Sequence, residues 1–168
     1  MEEHSMDDGV FIRSMASRGS LGGLAAATKD AVDVLDASGK DIVIVETVGA
    51  GQIDLDIMKI AYLVVVVTAP GLGDIIQAMK AGILEIAHIV VVNKADCENA
   101  EKTAIELEEG VVNMNPSKNA VGWKTRVLRV TASTGEGVSD LMKTIDDYFG
   151  YLTGTGAFQR LLVAMSED

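Results

Sequence analysis

Four short aliphatic runs constrain the fold of this chain more than any other feature of its sequence. They are Ile42–Val45, Leu63–Val67, Ile89–Val92 and Val127–Val130. Each is rich in β-branched residues and none alternates strictly between apolar and polar positions, which is typical of strands covered on both faces in a parallel sheet. A shorter run, Val10–Arg13, is a candidate for a fifth strand.

Helical patterns lie between and after these runs. Apolar residues recur at helical spacing over Leu21–Leu35, Gly73–Ile86, Glu98–Val112 and Val138–Leu152, and Phe158–Met165 begins another helix-like segment. Alternation of strands and helices implies right-handed crossovers, which bring the carboxyl ends of the strands to one edge of the sheet. The predicted fold class is therefore α/β, with a mostly parallel sheet that binds its ligands at that edge.

Charge and cysteine content exclude several classes of protein. The 168 residues include 14 Lys and Arg against 25 Asp and Glu, a net charge of −11, and the basic residues are scattered, which argues against nucleic acid and anionic membranes as partners. The single cysteine, Cys97, forms no internal disulfide, and no Cys/His cluster suits structural zinc, so a reducing, cytoplasmic setting is expected. The acidic start is unlike a signal peptide, and no apolar run approaches the length of a membrane span.

Two glycine turns follow the first two aliphatic runs. Glu46 and Gly49 follow the first run; a carboxylate there can hold Mg²⁺, and the glycine lets the backbone approach a phosphate closely. Taken alone, the same stretch also fits a helix N-terminus with an ordinary turn. Neither this turn nor Thr68–Asp74 matches the dinucleotide fingerprint, because its third glycine is replaced by Asp54 and Ile76 respectively, which disfavours a Rossmann dehydrogenase.

The third run ends in Asn93-Lys94-Ala95-Asp96, the sharpest signal in the chain. Asp96 can accept hydrogen bonds from N1–H and the N2 amino group of guanine, and adenine offers neither donor. Asn93 can bond the N7 edge of the base, and the aliphatic stem of Lys94 can lie on the ring. A carboxylate in that position predicts strong discrimination against adenine.

The fourth run leads into a turn that fits the same base. It is followed by Thr131 and Ala132, and a turn there can direct a backbone N–H at the guanine O6. Without the motif at 93–96, this segment would be interpreted as an ordinary loop. Two further residues, His88 and Trp123, are interpreted as structural, with Trp123 packing the long Asn113–Thr125 loop against the sheet.

Together with the long element Pro70–Ile83 and the stretches Arg13–Gly23 and Glu46–Gln52, these motifs resemble the MeaB/ArgK/MMAA-type GTPases. The resemblance runs from about Val10 to Phe149. It implies a three-layer sheet of the P-loop NTPase type, in the SIMIBI class. It also implies GTP or GDP with Mg²⁺ as ligands, homodimer formation, and a metallochaperone or gating role for an adenosylcobalamin-dependent methylmalonyl-CoA mutase.

The resemblance also assigns roles to individual residues. Glu46 is the expected magnesium-site carboxylate, and Arg13–Gly22 lies near the first switch. The second switch contains Gly49 and Gln52 as expected catalytic residues, with Gln52 orienting the attacking water, although Ala50 stands where many GTPases place glutamine. The expected nucleotide-binding residues are Asn93, Lys94, Asp96, Thr131 and Ala132, and the expected mutase-facing residues are Asp74, Gln77 and Lys80.

One element of such a GTPase is missing from the sequence. No G-x-x-x-x-G-K-[ST] loop occurs, and the only Gly-Lys pair, at 39–40, is followed by Asp41. In the family this loop lies upstream of the segment present here, and the dimerising helical arms follow Leu152. We therefore expect residues 1–152 to be a G domain truncated on its N-terminal side and 153–168 to begin the arm.

The missing loop bears on activity. We expect the chain alone to bind GTP weakly and to hydrolyse it negligibly, because the loop provides most of the charge-assisted contacts to the phosphates. An alternative is a non-catalytic interaction module that keeps only the mutase-facing surface. A flavodoxin-like or dinucleotide-binding enzyme is a third and weaker interpretation.

Overall fold

Two structural units make up the chain. A computed structural model describes residues 7–15, 27–47, 55–71, 83–113 and 122–166. By its internal contacts the chain divides into Met1–Asp54 and Leu55–Asp168, called here the first and the second unit. The second unit contains the sheet.

The sheet of the second unit has three parallel strands. They are β1 (Val65–Thr68), β2 (Ile89–Asn93) and β3 (Arg126–Val130), in the order β1-β2-β3. Val65 pairs with Ile89, and Ile89 pairs with Arg126 on the other side. Three of the four aliphatic runs are therefore strands, with bounds that differ from the sequence prediction by at most two residues.

Helices accompany these strands in the second unit. They are a 3-10 helix (Leu55–Lys59), α2 (Ile83–Ile86), α3 (Ala100–Asn113), α4 (Val138–Thr155) and α5 (Ala157–Ser166), after α1 (Thr28–Ala37) in the first unit. The three helices predicted from residue 98 onward are confirmed. Of the one predicted over 73–86, only the last turn lies within the described residues. No helix in the described ranges is long and apolar enough to cross a bilayer.

Strand β2 lies at the centre and is buried on both faces. Val90 and Val92, both 0% exposed, belong to a cluster with Leu84 of α2 and Leu107 of α3. The alternate residues of β2 belong to a second cluster, completed by α4, which lies on the other face; its members include Ile89, Val91, Leu141 and Ile145. Because side chains alternate between the faces of a strand, helices on both sides require a continuous apolar run. The predicted three-layer α/β arrangement is confirmed.

A third cluster, called here the aromatic cluster, consists of Trp123, Tyr148, Leu152 and Ala157. The Trp123 indole N–H donates to the carbonyl of His88 at 3.1 Å, and the His88 and Tyr148 rings lie 4.8 Å apart. Trp123 thus packs at the end of the sheet, in the structural role that the sequence predicts, whereas residues 114–121 of its loop lie outside the described residues.

His88 is held neutral by this environment. His88 is buried, with 6% of its surface exposed, and its Nδ1 accepts the backbone N–H of Val64 at 3.0 Å. Burial lowers the pKa of His88 to about 4, because the charged imidazolium would lose its hydration. Burial also raises the pKa of Tyr148, whose hydroxyl donates to the carbonyl of Tyr62 at 2.7 Å.

The first unit differs in having no buried residue among those described. A turn at 7–10 is closed by the Gly9 N–H, which donates to Asp7 Oδ1 at 2.9 Å, and Lys40 Nζ donates to the Gly9 carbonyl at 2.7 Å. The strand predicted at 42–45 is wrong for this structure: Ile42 is 71% and Ile44 87% exposed, and neither this run nor the one at 10–13 is a strand. Helix α1 covers the later part of the helix predicted over 21–35.

Candidate functional site

Two loops meet at the carboxyl edge of the sheet. One follows β2 and spans residues 93–99, and the other follows β3 and spans 131–137. Because β2 and β3 are adjacent and parallel, both loops leave the sheet at the same edge. The predicted base-binding residues are therefore brought to one place.

The loop at 93–99 has an unusual backbone that is held by hydrogen bonds. Lys94 (φ 55°) and Asn99 (φ 69°) are both left-handed without being glycine; asparagine tolerates this conformation, whereas for Lys94 it costs roughly 1 to 2 kcal/mol. The Cys97 N–H donates to the Lys94 carbonyl at 3.0 Å, and the Ala95 N–H donates to the Val130 carbonyl at 3.1 Å. These bonds fix the turn that carries Asp96, whose side chain is exposed to solvent.

Asn93 joins the two loops. Its Oδ1 accepts the backbone N–H of Lys94 at 2.8 Å and that of Ala132 at 3.1 Å. The sequence suggested only a contact with the base, whereas the structure gives the side-chain oxygen a positioning role. The amide nitrogen of Asn93 then provides the donor that the N7 acceptor of a purine requires.

The second loop closes on itself directly after β3. The Thr131 N–H donates to the Glu136 carbonyl at 2.9 Å, and the Thr131 carbonyl accepts the N–H groups of Thr134 and Gly135 at 3.1 and 3.0 Å. Gly137 has φ 76°, and a Cβ atom there would collide with the Arg129 carbonyl oxygen, so glycine is required. Gly137 was not among the predicted site residues, and the sequence signal for it is the G-x-G spacing at 135–137.

Thr131 and Ala132 show two details that bear on ligand binding. The Thr131 hydroxyl is buried and has no hydrogen-bond partner among the described residues. A buried hydroxyl without a partner costs about 1 to 3 kcal/mol. The Ala132 N–H is already donated to Asn93, so a bond from it to a guanine O6 would be a second, shared bond.

The other predicted site residues are placed differently. Glu46 is exposed in the irregular segment 42–47 of the first unit. Within the described ranges, no three His, Cys, Asp or Glu side chains gather to hold a metal ion. The catalytic and mutase-facing candidates lie outside the described residues; they are Gly49, Gln52, Asp74, Gln77 and Lys80.

Comparisons with known proteins show which family the chain is similar to. The family model described as "Methylmalonyl Co-A mutase-associated GTPase MeaB" matches residues 1–166. A protein of Pyrococcus horikoshii that is named as a GTPase is 51% identical over 156 residues, which are 93% of this chain and 49% of that protein. GTPase ArgK of Escherichia coli is 31% identical over 163 residues, 96% of this chain and 49% of ArgK.

A solved structure shows the same fold. The crystal structure of LAO/AO transport system kinase superposes with a TM-score of 0.71 at 26% identity, over 84% of this chain and 46% of that one. The chain thus spans about half the length of the curated relatives and of the solved structure that it matches.

Proposed function

Since the chain belongs to the family of methylmalonyl-CoA mutase-associated GTPases, we propose that it binds a guanine nucleotide at the loops 93–99 and 131–137. The observation that supports this proposal is the Asn93 side chain, whose Oδ1 accepts the backbone N–H of Lys94 in one loop and that of Ala132 in the other. Base recognition follows from the chemistry of these groups.

Asp96 is the proposed determinant of base specificity. Its carboxylate has two acceptor oxygens, which match the N1–H and N2 donors of guanine, whereas adenine presents an acceptor at N1. Adenine would therefore leave the carboxylate unpaired and partly desolvated. Lys94 precedes Asp96 by two residues in the same motif, and its aliphatic stem can cover one face of the base.

Glu46 is proposed as a magnesium-site carboxylate, as the resemblance to the family implies. Mg²⁺ is commonly held by one or two carboxylates together with substrate phosphates, so a single carboxylate fits this mode of binding. The ion would neutralise charge on the phosphates. Gly49 and Gln52 are proposed as second-switch residues, with Gln52 orienting the attacking water.

The role of the whole protein is also a proposal. We assign it GTP hydrolysis coupled to chaperoning or gating of an adenosylcobalamin-dependent methylmalonyl-CoA mutase, through a surface containing Asp74, Gln77 and Lys80. Residues 1–152 would form part of the G domain and 153–168 the beginning of a helical arm.

One sequence feature favours a second candidate function. Because no G-x-x-x-x-G-K-[ST] loop occurs among the 168 residues, these residues alone would turn over GTP negligibly, and the chain could act as a non-catalytic interaction module. Steady-state phosphate release by the purified chain with GTP and Mg²⁺ tests the expected lack of turnover. Sustained turnover would contradict both the expected lack of activity and the proposal that the chain is a non-catalytic interaction module.

Base recognition is tested by Asp96→Asn in a chimera. The chimera joins this chain to the part of the Pyrococcus horikoshii relative that lies outside the matched 156 residues. An asparagine can donate to the O2 of xanthine, so the ratio of XTP to GTP affinity should rise at least about tenfold, or about 1.4 kcal/mol. Asp146→Asn, an exposed change in α4, is the matched control. An unchanged ratio in the Asp96 variant would show that the base site is wrongly assigned.

A further inference from the structure

We draw no further inference here: the strongest candidate, the outer face of α3 on which Ile105 and Val112 are exposed beside Glu101, Glu108 and Glu109, carries nothing because no feature of the described residues shows what covers it.

Discussion

Two stretches of nearly the same sequence adopt different structures in this protein. Residues 41–46 read Asp-Ile-Val-Ile-Val-Glu and residues 88–93 read His-Ile-Val-Val-Val-Asn. The second stretch forms β2, where all four aliphatic residues are at most 3% exposed. The first is irregular, with Ile42 at 71% and Ile44 at 87% exposure. Strand propensity is the same in both, so propensity does not account for the difference.

Neighbouring strands and helices account for the different structures of the two stretches. Val91 in β2 pairs with Val67 of β1 on one side and with Leu128 of β3 on the other. Helices α3 and α4 cover the two faces of the sheet. The run at 42–45 has no such strand partner among the described residues. Aliphatic β-branched residues thus form a strand where neighbours complete its hydrogen bonds and bury its side chains.

The largest effect is expected from one substitution made in both stretches. Ile89→Ala should lower the free energy of unfolding by about 4 kcal/mol, because it leaves a cavity at a fully buried position. Ile44→Ala should change it by less than about 0.5 kcal/mol. Urea unfolding is followed by far-UV circular dichroism and by the fluorescence of Trp123, the single tryptophan. A loss above about 2 kcal/mol for Ile44→Ala would show that the 42–45 run is buried in solution.

A smaller effect is expected in the loop at 131–137, which follows β3, the partner strand of β2. Gly137→Ala should cost about 3 kcal/mol, from an unfavourable left-handed alanine together with a collision against the Arg129 carbonyl in β3. Gly135→Ala is the control: its φ of 81° is similar, but no atom lies within 4 Å of the added Cβ, so about 1 kcal/mol is expected. Urea midpoints of the two variants are compared. Equal losses would exclude the collision as the cause.

The smallest effect is a pH dependence of stability that comes from His88, the residue that precedes the buried run; Asp41 holds the same place before the exposed run. The pKa of His88 is lowered to about 4 in the folded state, so below pH 6.5 the unfolded chain binds a proton that the folded chain does not. The free energy of unfolding should therefore fall as the pH falls from 6.5 to 4, by about 2 kcal/mol at pH 5 relative to pH 7.

His88→Asn isolates this contribution. An asparagine keeps an acceptor for the Val64 N–H and does not titrate, so this variant should lose the part of the pH dependence that comes from His88. The difference between the two proteins in unfolding free energy is measured at each pH from 4 to 7. A constant difference would mean that His88 is protonated in the folded state as readily as in the unfolded one.

Much of the second unit could be predicted from the sequence, because its signals are local. Continuous aliphatic runs and helical spacing gave β2, β3, α3 and α4 with bounds within three residues of those observed. The same local signal failed at 42–45, where the outcome depends on strands elsewhere in the chain. The burial of His88 was likewise not predictable, since it depends on Tyr148, sixty residues later.

The site divides in the same way. The motif at 93–96 and the turn at 131–132 could be found by inspection, because their residue types carry the chemistry of base recognition. The bond between Asn93 and Ala132 spans 39 positions and exists only because β2 and β3 are neighbours. The closed shape of the second loop was also missed, since the bond between Thr131 and Glu136 leaves no pattern in the sequence.

Helix α4 connects two distant features of the second unit. Its 18 residues make a rod about 27 Å long, which starts directly after Gly137 and ends at Gly156. The first turn adjoins the loop at 131–137, and the last turns carry Tyr148 and Leu152 of the aromatic cluster, against which α5 packs. One continuous helix therefore links the carboxyl edge of the sheet to the start of α5.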